Sequence, residues 1–282
     1  MALFTAAWGR ARIVDSFCER DWQRFIELRR SGKLAPAGRE GKAVRDRMLE
    51  YDLRLLLAVL NWATKQKDEL GAFWLTANPL RGQRVPAEKN PHQPTLSRAD
   101  YEALRKVAGG VSPRFELALV LCNETGHRLN SVRQLRWSDV DLEARTISWR
   151  AETDKSGKAH QTPLSATAVA LLRGAALLAA PPTADGQIRD GWLFPSLTST
   201  RALGRRTFYH WWKQAVEKAE ITVPPKCAFH AFRRKLASEL AREQLAVVKA
   251  LGGWSAAHVV VNRYQKVSID VQREVLESRG TG

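Results

Sequence analysis

The chain has 282 residues, and 45 Lys+Arg against 29 Asp+Glu leave a formal charge of +16 and a pI near 10.3. Hydrophobic residues make up 44%, with 10 Trp and 9 Phe, too many core-formers for a solvated basic tail. The charge points instead to a polyanionic partner, nucleic acid or an anionic membrane face, and the length suggests about two domains.

No apolar run approaches the ~18–20 residues of a membrane span. The best candidate, Ala168 to Ala180, is interrupted by Arg173 and Gly174. The start, MALFTAAWGRARI, has no basic stretch ahead of its short apolar one, so no secretory signal is expected. Cys18, Cys122 and Cys227 are scattered, odd in number and without zinc spacing, which reads as reduced thiols in a cytoplasmic protein.

In chain order, the spacing of Phe17, Trp22, Phe25, Ile26 and Leu28 predicts a helix over 13–30, stopped by Ser31-Gly32. A longer helical stretch is predicted over 43–70, with Glu50 as a candidate break and Gly71 as its end. Its Leu53, Leu55, Leu56, Leu57, Val59, Leu60 and Trp62 are dense enough for burial on more than one side. Residues 78–97 hold four Pro and read as the best linker. The expected plan is a helical module at 1–85, a linker at 86–96 and a second domain at 97–282. That domain opens with a capped amphipathic helix from Thr95-Leu96-Ser97 and a buried helix over 113–123 led by Pro113.

Alternation in 145–150 (RTISWR), a turn at Ser156-Gly157 and a return over 158–163 predict an antiparallel hairpin or three-stranded sheet. Helices are then expected at 166–179, 207–219, 230–243, 245–251 and 268–278. The fold class is therefore mainly α with a small antiparallel β-sheet.

An ordered set of groups within that plan suits phosphodiester transfer without a metal or ATP. Two guanidiniums, Arg128 in Thr125-Gly126-His127-Arg128 and Arg233 in His230-Ala231-Phe232-Arg233, can each hold phosphate oxygens bidentately. Tyr264, in Asn262-Arg263-Tyr264, can supply a phenolic nucleophile whose pKa adjacent cations would lower. Lys155 or His230 can deliver a proton to a leaving oxygen, and the Trp254 indole in Leu251-Gly252-Gly253-Trp254 can donate a further hydrogen bond. Each residue has a plainer reading when taken alone: a surface or capping Arg128, a solvated hairpin lysine, an ion-pairing His230 and Arg233, a core Trp254. Tyr264, among Asn262, Arg263, Gln265 and Lys266, is a poor core tyrosine, and Tyr51, Tyr101 and Tyr209 follow no comparable segment.

The order of these elements resembles the tyrosine recombinase (phage-type integrase) family, which shares its catalytic domain with type IB topoisomerases. The stretch Thr125-Gly126-His127-Arg128 followed by Leu135-Arg136-Trp137-Ser138-Asp139 is similar to the family's first Arg box. The hairpin Lys155, His230-x-x-Arg233, the Leu-Gly-Gly-Trp segment and Tyr264 follow in the family's order, with Arg233 lying 105 positions after Arg128 and Tyr264 another 31 on. The helical module resembles the family's core-binding domain, with Leu60-Asn61-Trp62-Ala63 and Asn78-Pro79-Leu80 as its last helix and exit.

The resemblance implies a helical core-binding domain that clamps DNA and an α+β catalytic domain ending in an exchange helix. It implies a recombinase that cuts and rejoins double-stranded DNA through a 3′-phosphotyrosyl bond and exchanges strands through a Holliday junction. The catalytic residues would be Arg128, Lys155, His230, Arg233, Trp254 and Tyr264, with no cofactor and no metal. Arg234 and Lys235 are expected either to ion-pair or to contact the DNA backbone, and Arg263 to contact DNA. The chain would be a monomer in solution and a homotetramer on DNA, served by an accessory directionality factor. It would belong to a prokaryotic mobile element and act at the nucleoid. The same scaffold also supports a catalytically impaired DNA-binding protein or a type IB-like topoisomerase.

Two features depart from the family pattern. Ser131 stands where a Glu or Asp usually steadies the first Arg, and Trp254 precedes Tyr264 by ten positions, one more than expected.

Overall fold

The computed structural model describes residues 2–36, 38–88, 93–154, 157–178, 191–196 and 200–265, together with 269 and 273. The chain divides into two compact units, Met1–His92 and Gln93–Gly282.

The first unit is helical. α1 (Ala2–Trp8), α2 (Glu19–Arg30) and α3 (Asp46–Ala63) close on Phe4, Trp22, Phe25, Leu49, Leu53, Leu56 and Leu60. The helix expected over 13–30 breaks near Cys18. A short 3-10 turn, Val14–Ser16, precedes it, and the Asp21 carboxylate accepts the Cys18 backbone N–H at 3.1 Å, starting α2 afresh. Arg29 pairs with Asp52 at 2.7 Å and ties α2 to α3.

The long stretch expected over 43–70 is also shorter. α3 runs unbroken through Glu50 but stops at Ala63, where the Thr64 hydroxyl turns back to the Asn61 carbonyl at 2.9 Å. It is buried on one face only: Leu49, Leu53, Leu56 and Leu60 face the core, while Leu55 and Trp62 are each 51% exposed. The early part of the expected linker packs onto this unit. Leu80 is buried, Asn78 hydrogen-bonds Asn61 at 2.7 Å, and the Trp22 indole donates to the Arg84 carbonyl at 3.3 Å.

The second unit opens with α4 (Arg98–Val111), capped by a reciprocal Ser97–Asp100 box. α5 (Pro113–Thr125) follows and is buried on nearly every side, as its continuous apolar run requires. α4, α8 (Arg205–Lys218) and α9 (His230–Glu239) pack around it, with Phe115, Phe208, Trp212, Phe229 and Phe232 meeting edge-on or tilted.

After the short α6 (Leu129–Arg133) comes a three-stranded antiparallel sheet of β1 (Val140–Asp141), β2 (Thr146–Trp149) and β3 (His160–Pro163), in the order β1-β2-β3. Ile147 and Trp149 alternate inward, and the register sets Trp149 opposite His160. α7 (Ala166–Leu178) covers α5. α10 (Leu245–Leu251) and α11 (Ala257–Arg263) carry a third small core with Leu236, Val248, Trp254, Val260 and Tyr264. Most of the tail helix expected at 268–278 lies outside the described residues. No helix among the described residues is long and apolar enough to cross a membrane.

The one-faced burial of α3 sets an expected outcome in denaturant unfolding. Leu53→Ala loses about 2–5 kcal/mol of stability, whereas Leu55→Ala two residues away stays within about 0.5 kcal/mol.

Candidate active site

α5 ends in Gly126, which caps it with φ at 61°. A Cβ there would stand 2.7 Å from Leu236 Cδ2, so a residue without a side chain both permits the left-handed turn and lets α9 approach. The chain passes through His127 to Arg128, the N-cap of α6, whose carbonyl accepts the Ser131 and Val132 N–H groups at 2.9 and 3.1 Å. The Arg128 side chain is partly exposed and lies 3.9 Å from the buried Asp154 carboxylate.

Asp154 immediately precedes Lys155; Lys155 itself, with Ser156, lies outside the described residues. Ser131 directs its side chain to the hairpin loop. Its hydroxyl donates to the Thr153 carbonyl at 2.9 Å and fastens the start of the hairpin loop to α6. The buried carboxylate that faces Arg128 is that of Asp154.

His230 opens α9, and Arg233 follows three residues on, on the same face. Arg233 is only 2% exposed. Its Nη1 donates to the Gly126 carbonyl at 2.9 Å and to the Gly252 carbonyl at 2.6 Å, which binds the turn before Arg128 to the turn before Trp254. The guanidinium carbon lies 4.1 Å from the centroid of the Trp254 ring and 5.3 Å from that of Tyr264. Burial, then repulsion from Arg128, brings its pKa down to about 10, so it stays protonated at neutral pH.

Tyr264 closes α11. Its ring lies 5.5 Å from Trp254, edge-on, and 5.8 Å from His230. The polar neighbours of Tyr264 suggest an exposed tyrosine; instead it is 9% exposed, because α11 turns its ring into the small core with Trp254 and Leu236. Trp254 is buried as well, so it combines a core position with a place beside the phenol. Two buried donors here, Arg233 Nε and Trp254 Nε1, have no hydrogen-bond partner among the described residues. Burial, together with the charges of Arg234, Arg233 and Arg128, pushes His230 down to about 4, so its imidazole is neutral at physiological pH.

Arg128, His230, Arg233, Trp254 and Tyr264 are thus gathered at one place. Of the residues expected to touch DNA or to ion-pair, Lys235 is buried, bonded to Asn123 at 3.0 Å and paired with Glu239 at 2.8 Å. Arg234 donates to the Pro94 carbonyl at 3.0 Å. Arg263 ends α11, and its side chain lies outside the described residues.

Sequence reasoning missed a layer beneath the site. The His127 ring stacks on Trp149 of β2, with centroids 3.6 Å apart and planes 4° from parallel, and His127 Nε2 lies 2.8 Å from Nε2 of His160 on β3. Asp154 was missed too, although its place directly before the hairpin lysine was the available signal.

The chain matches the Phage integrase family model over residues 95–270 and belongs to that family, the tyrosine recombinases. Its fold is similar to that of the Tn1549 transposon integrase in complex with a circular intermediate DNA, with a TM-score of 0.68 at 17% identity over 94% of this chain and 86% of the other. It is also similar to XerH recombinase bound to palindromic difH substrate, with a TM-score of 0.72 at 18% identity over 97% and 74% of the two chains. A lambda integrase dimer bound to a COC′ core site gives a TM-score of 0.61 at 14% identity over 91% and 69%. At these identities the likeness is one of fold. No curated protein sequence matches the chain significantly.

The depressed His230 pKa has a definite sign. The folded state holds the ring neutral down to about pH 4, whereas the unfolded chain protonates it near 6.5, so the fold loses stability as pH falls through that window. His230→Gln removes this component. Thermal melts from pH 7 downward should show the wild type losing more stability than the variant between pH 6.5 and about 4.

Proposed function

We propose that the chain is a site-specific DNA recombinase of the integrase type, which cuts and rejoins double-stranded DNA through a covalent 3′-phosphotyrosyl intermediate. The observation that carries this reading is that one buried guanidinium, Arg233, touches both Trp254 and Tyr264 while its turn partners carry Arg128.

In this reading Arg128 and Arg233 hold the non-bridging oxygens of the scissile phosphate and match the charge that grows in the transition state. The unpartnered Trp254 Nε1 donates to the same phosphate. The Tyr264 oxygen attacks phosphorus as its proton passes to neutral His230, and the P–O5′ bond breaks. Lys155 protonates the leaving 5′ oxygen. Reversal by the 5′-hydroxyl of a partner strand reseals the backbone, and because the phosphotyrosyl bond conserves the phosphoester energy, the step needs no ATP. Asp154 orients Arg128 from below.

The +16 charge supports a grip made mostly through backbone phosphates, with segments 1–85 and 97–282 both engaging the duplex and four copies assembling for exchange through a Holliday junction.

The test uses a nicked duplex carrying the recombination site, recovered from DNA flanking the coding region, so that the cleaved fragment diffuses away. The wild type is expected to leave a denaturant-resistant protein–DNA adduct, and Tyr264→Phe to bind equally well with no adduct. Tight binding by the wild type without any adduct would instead identify a DNA-binding protein on this scaffold. Adducts that yield relaxed plasmid but no recombinant product would identify a topoisomerase.

A further inference from the structure

Beneath the arginine turn, two imidazoles meet nitrogen to nitrogen beside a buried carboxylate. His127 is buried, and its Nδ1 lies 3.1 Å from the Thr125 carbonyl, an acceptor that places the ring proton on Nδ1. Nε2 therefore carries the lone pair, and it points at His160 Nε2 2.8 Å away. His160 Nδ1 lies 3.4 Å from the Lys158 carbonyl, so the Nδ1–H tautomer of this ring also has an acceptor to hand. Such Nδ1–H···O=C contacts are the usual outer support of histidines that bind metal through Nε2. Two lone pairs at this separation repel unless a proton or a cation stands between them.

One ligand atom from each of His127, His160 and the Asp154 carboxylate falls within 4.8 Å of the others. The stack of His127 on Trp149 fixes the plane of one ring, and the pairing of Trp149 with His160 across β2 and β3 fixes the backbone of the other. Gly253 lies directly against the two nitrogens. A Cβ there would collide with His160 Nε2 and stand 3.0 Å from His127 Nε2, so the absent side chain keeps the space beside them open. This is the glycine in the Leu-Gly-Gly-Trp segment that accompanies the departure from the family's spacing.

We propose that His127, His160 and Asp154 form a binding site for a divalent borderline metal ion of the zinc type. Two imidazole nitrogens and one carboxylate oxygen suit tetrahedral Zn2+ with its fourth position open to water. Ligand bonds of about 2.0–2.1 Å need only a slight parting of the two Nε2 atoms and an inward turn of Asp154. The ion does not contact the scissile phosphate. It bridges the turn that carries Arg128 to the hairpin, and it takes the carboxylate that otherwise faces Arg128 at 3.9 Å. Metal occupancy and the setting of Arg128 are thereby coupled. The site rests on the His–His–Asp geometry and stands apart from the proposed recombination chemistry.

The full chain, stripped with a chelator and dialysed, is titrated with Zn2+ by calorimetry and with Co2+ by visible absorption. The wild type should bind one equivalent of Zn2+ and give the ligand-field bands of tetrahedral Co2+. His160→Ala and His160→Gln, each checked for native circular dichroism, should weaken Zn2+ binding by more than about 100-fold, beyond what loss of an outer partner causes. His258→Ala, at an exposed histidine on α11, should bind like the wild type. Zn2+ uptake by the wild type no greater than by the His160 variants, or equal loss in His258→Ala, overturns the assignment. Neither readout depends on DNA cleavage, so failure here leaves the recombinase reading intact, and failure of that reading leaves this site standing.

Discussion

The buried guanidinium of Arg233 holds two turns that lie far apart in sequence. Through one nitrogen it bonds the carbonyl that ends α5 and the carbonyl that ends α10. Hydrogen bonds to a charged donor contribute about 1.5–3 kcal/mol each, and a charge left unpaired at this depth is costly. The two carbonyls therefore fix where Arg128 and Trp254 stand, and α9 delivers His230 to the same place. A lysine could carry the charge but not the planar guanidinium that bonds both carbonyls through one nitrogen while its plane faces the Trp254 and Tyr264 rings.

The electrostatics of the site follow from this arrangement. Arg128 and Arg233 repel each other, and Arg233 titrates lower than an ordinary guanidinium yet stays charged. His230, beside three arginines, is held neutral and so is able to accept a proton rather than donate one at physiological pH. Asp154 is the counterweight, a carboxylate with a 3% exposed side chain facing Arg128. Ser131 contributes differently from an acid at its position: it anchors the loop that brings Asp154 up.

Much of this was legible in the sequence. The order of Arg128, the hairpin, His230-x-x-Arg233, Trp254 and Tyr264 carried the site, because each sits at a helix end or turn whose local chemistry is strong. The Ser97 cap and the alternation of Ile147 and Trp149 likewise read directly as α4 and β2.

What was not legible depended on tertiary partners. The apolar run on α3 looked buried on more than one side, and only the placement of α2 shows that Leu55 and Trp62 face outward. Lys235 looked like any surface lysine, but Asn123 and Glu239 give its ammonium partners inside the fold. The His127–Trp149 stack joins residues on two elements with no shared motif, so no spacing announces it. Tyr264 sits inside rather than outside because a seven-residue helix, too short to show a period, turns its ring onto Trp254.

The most direct measurement compares cleavage of a normal recombination site with one bearing a neutral methylphosphonate at the scissile position. If Arg128 acts by matching phosphate charge, Arg128→Ala recovers cleavage on the neutral linkage relative to the charged one. Arg233→Ala stays inactive on both, because its loss also releases the turns beneath Arg128 and Trp254. Equal impairment of Arg128→Ala on the two substrates, or a recovery in Arg233→Ala as large as in Arg128→Ala, contradicts this account.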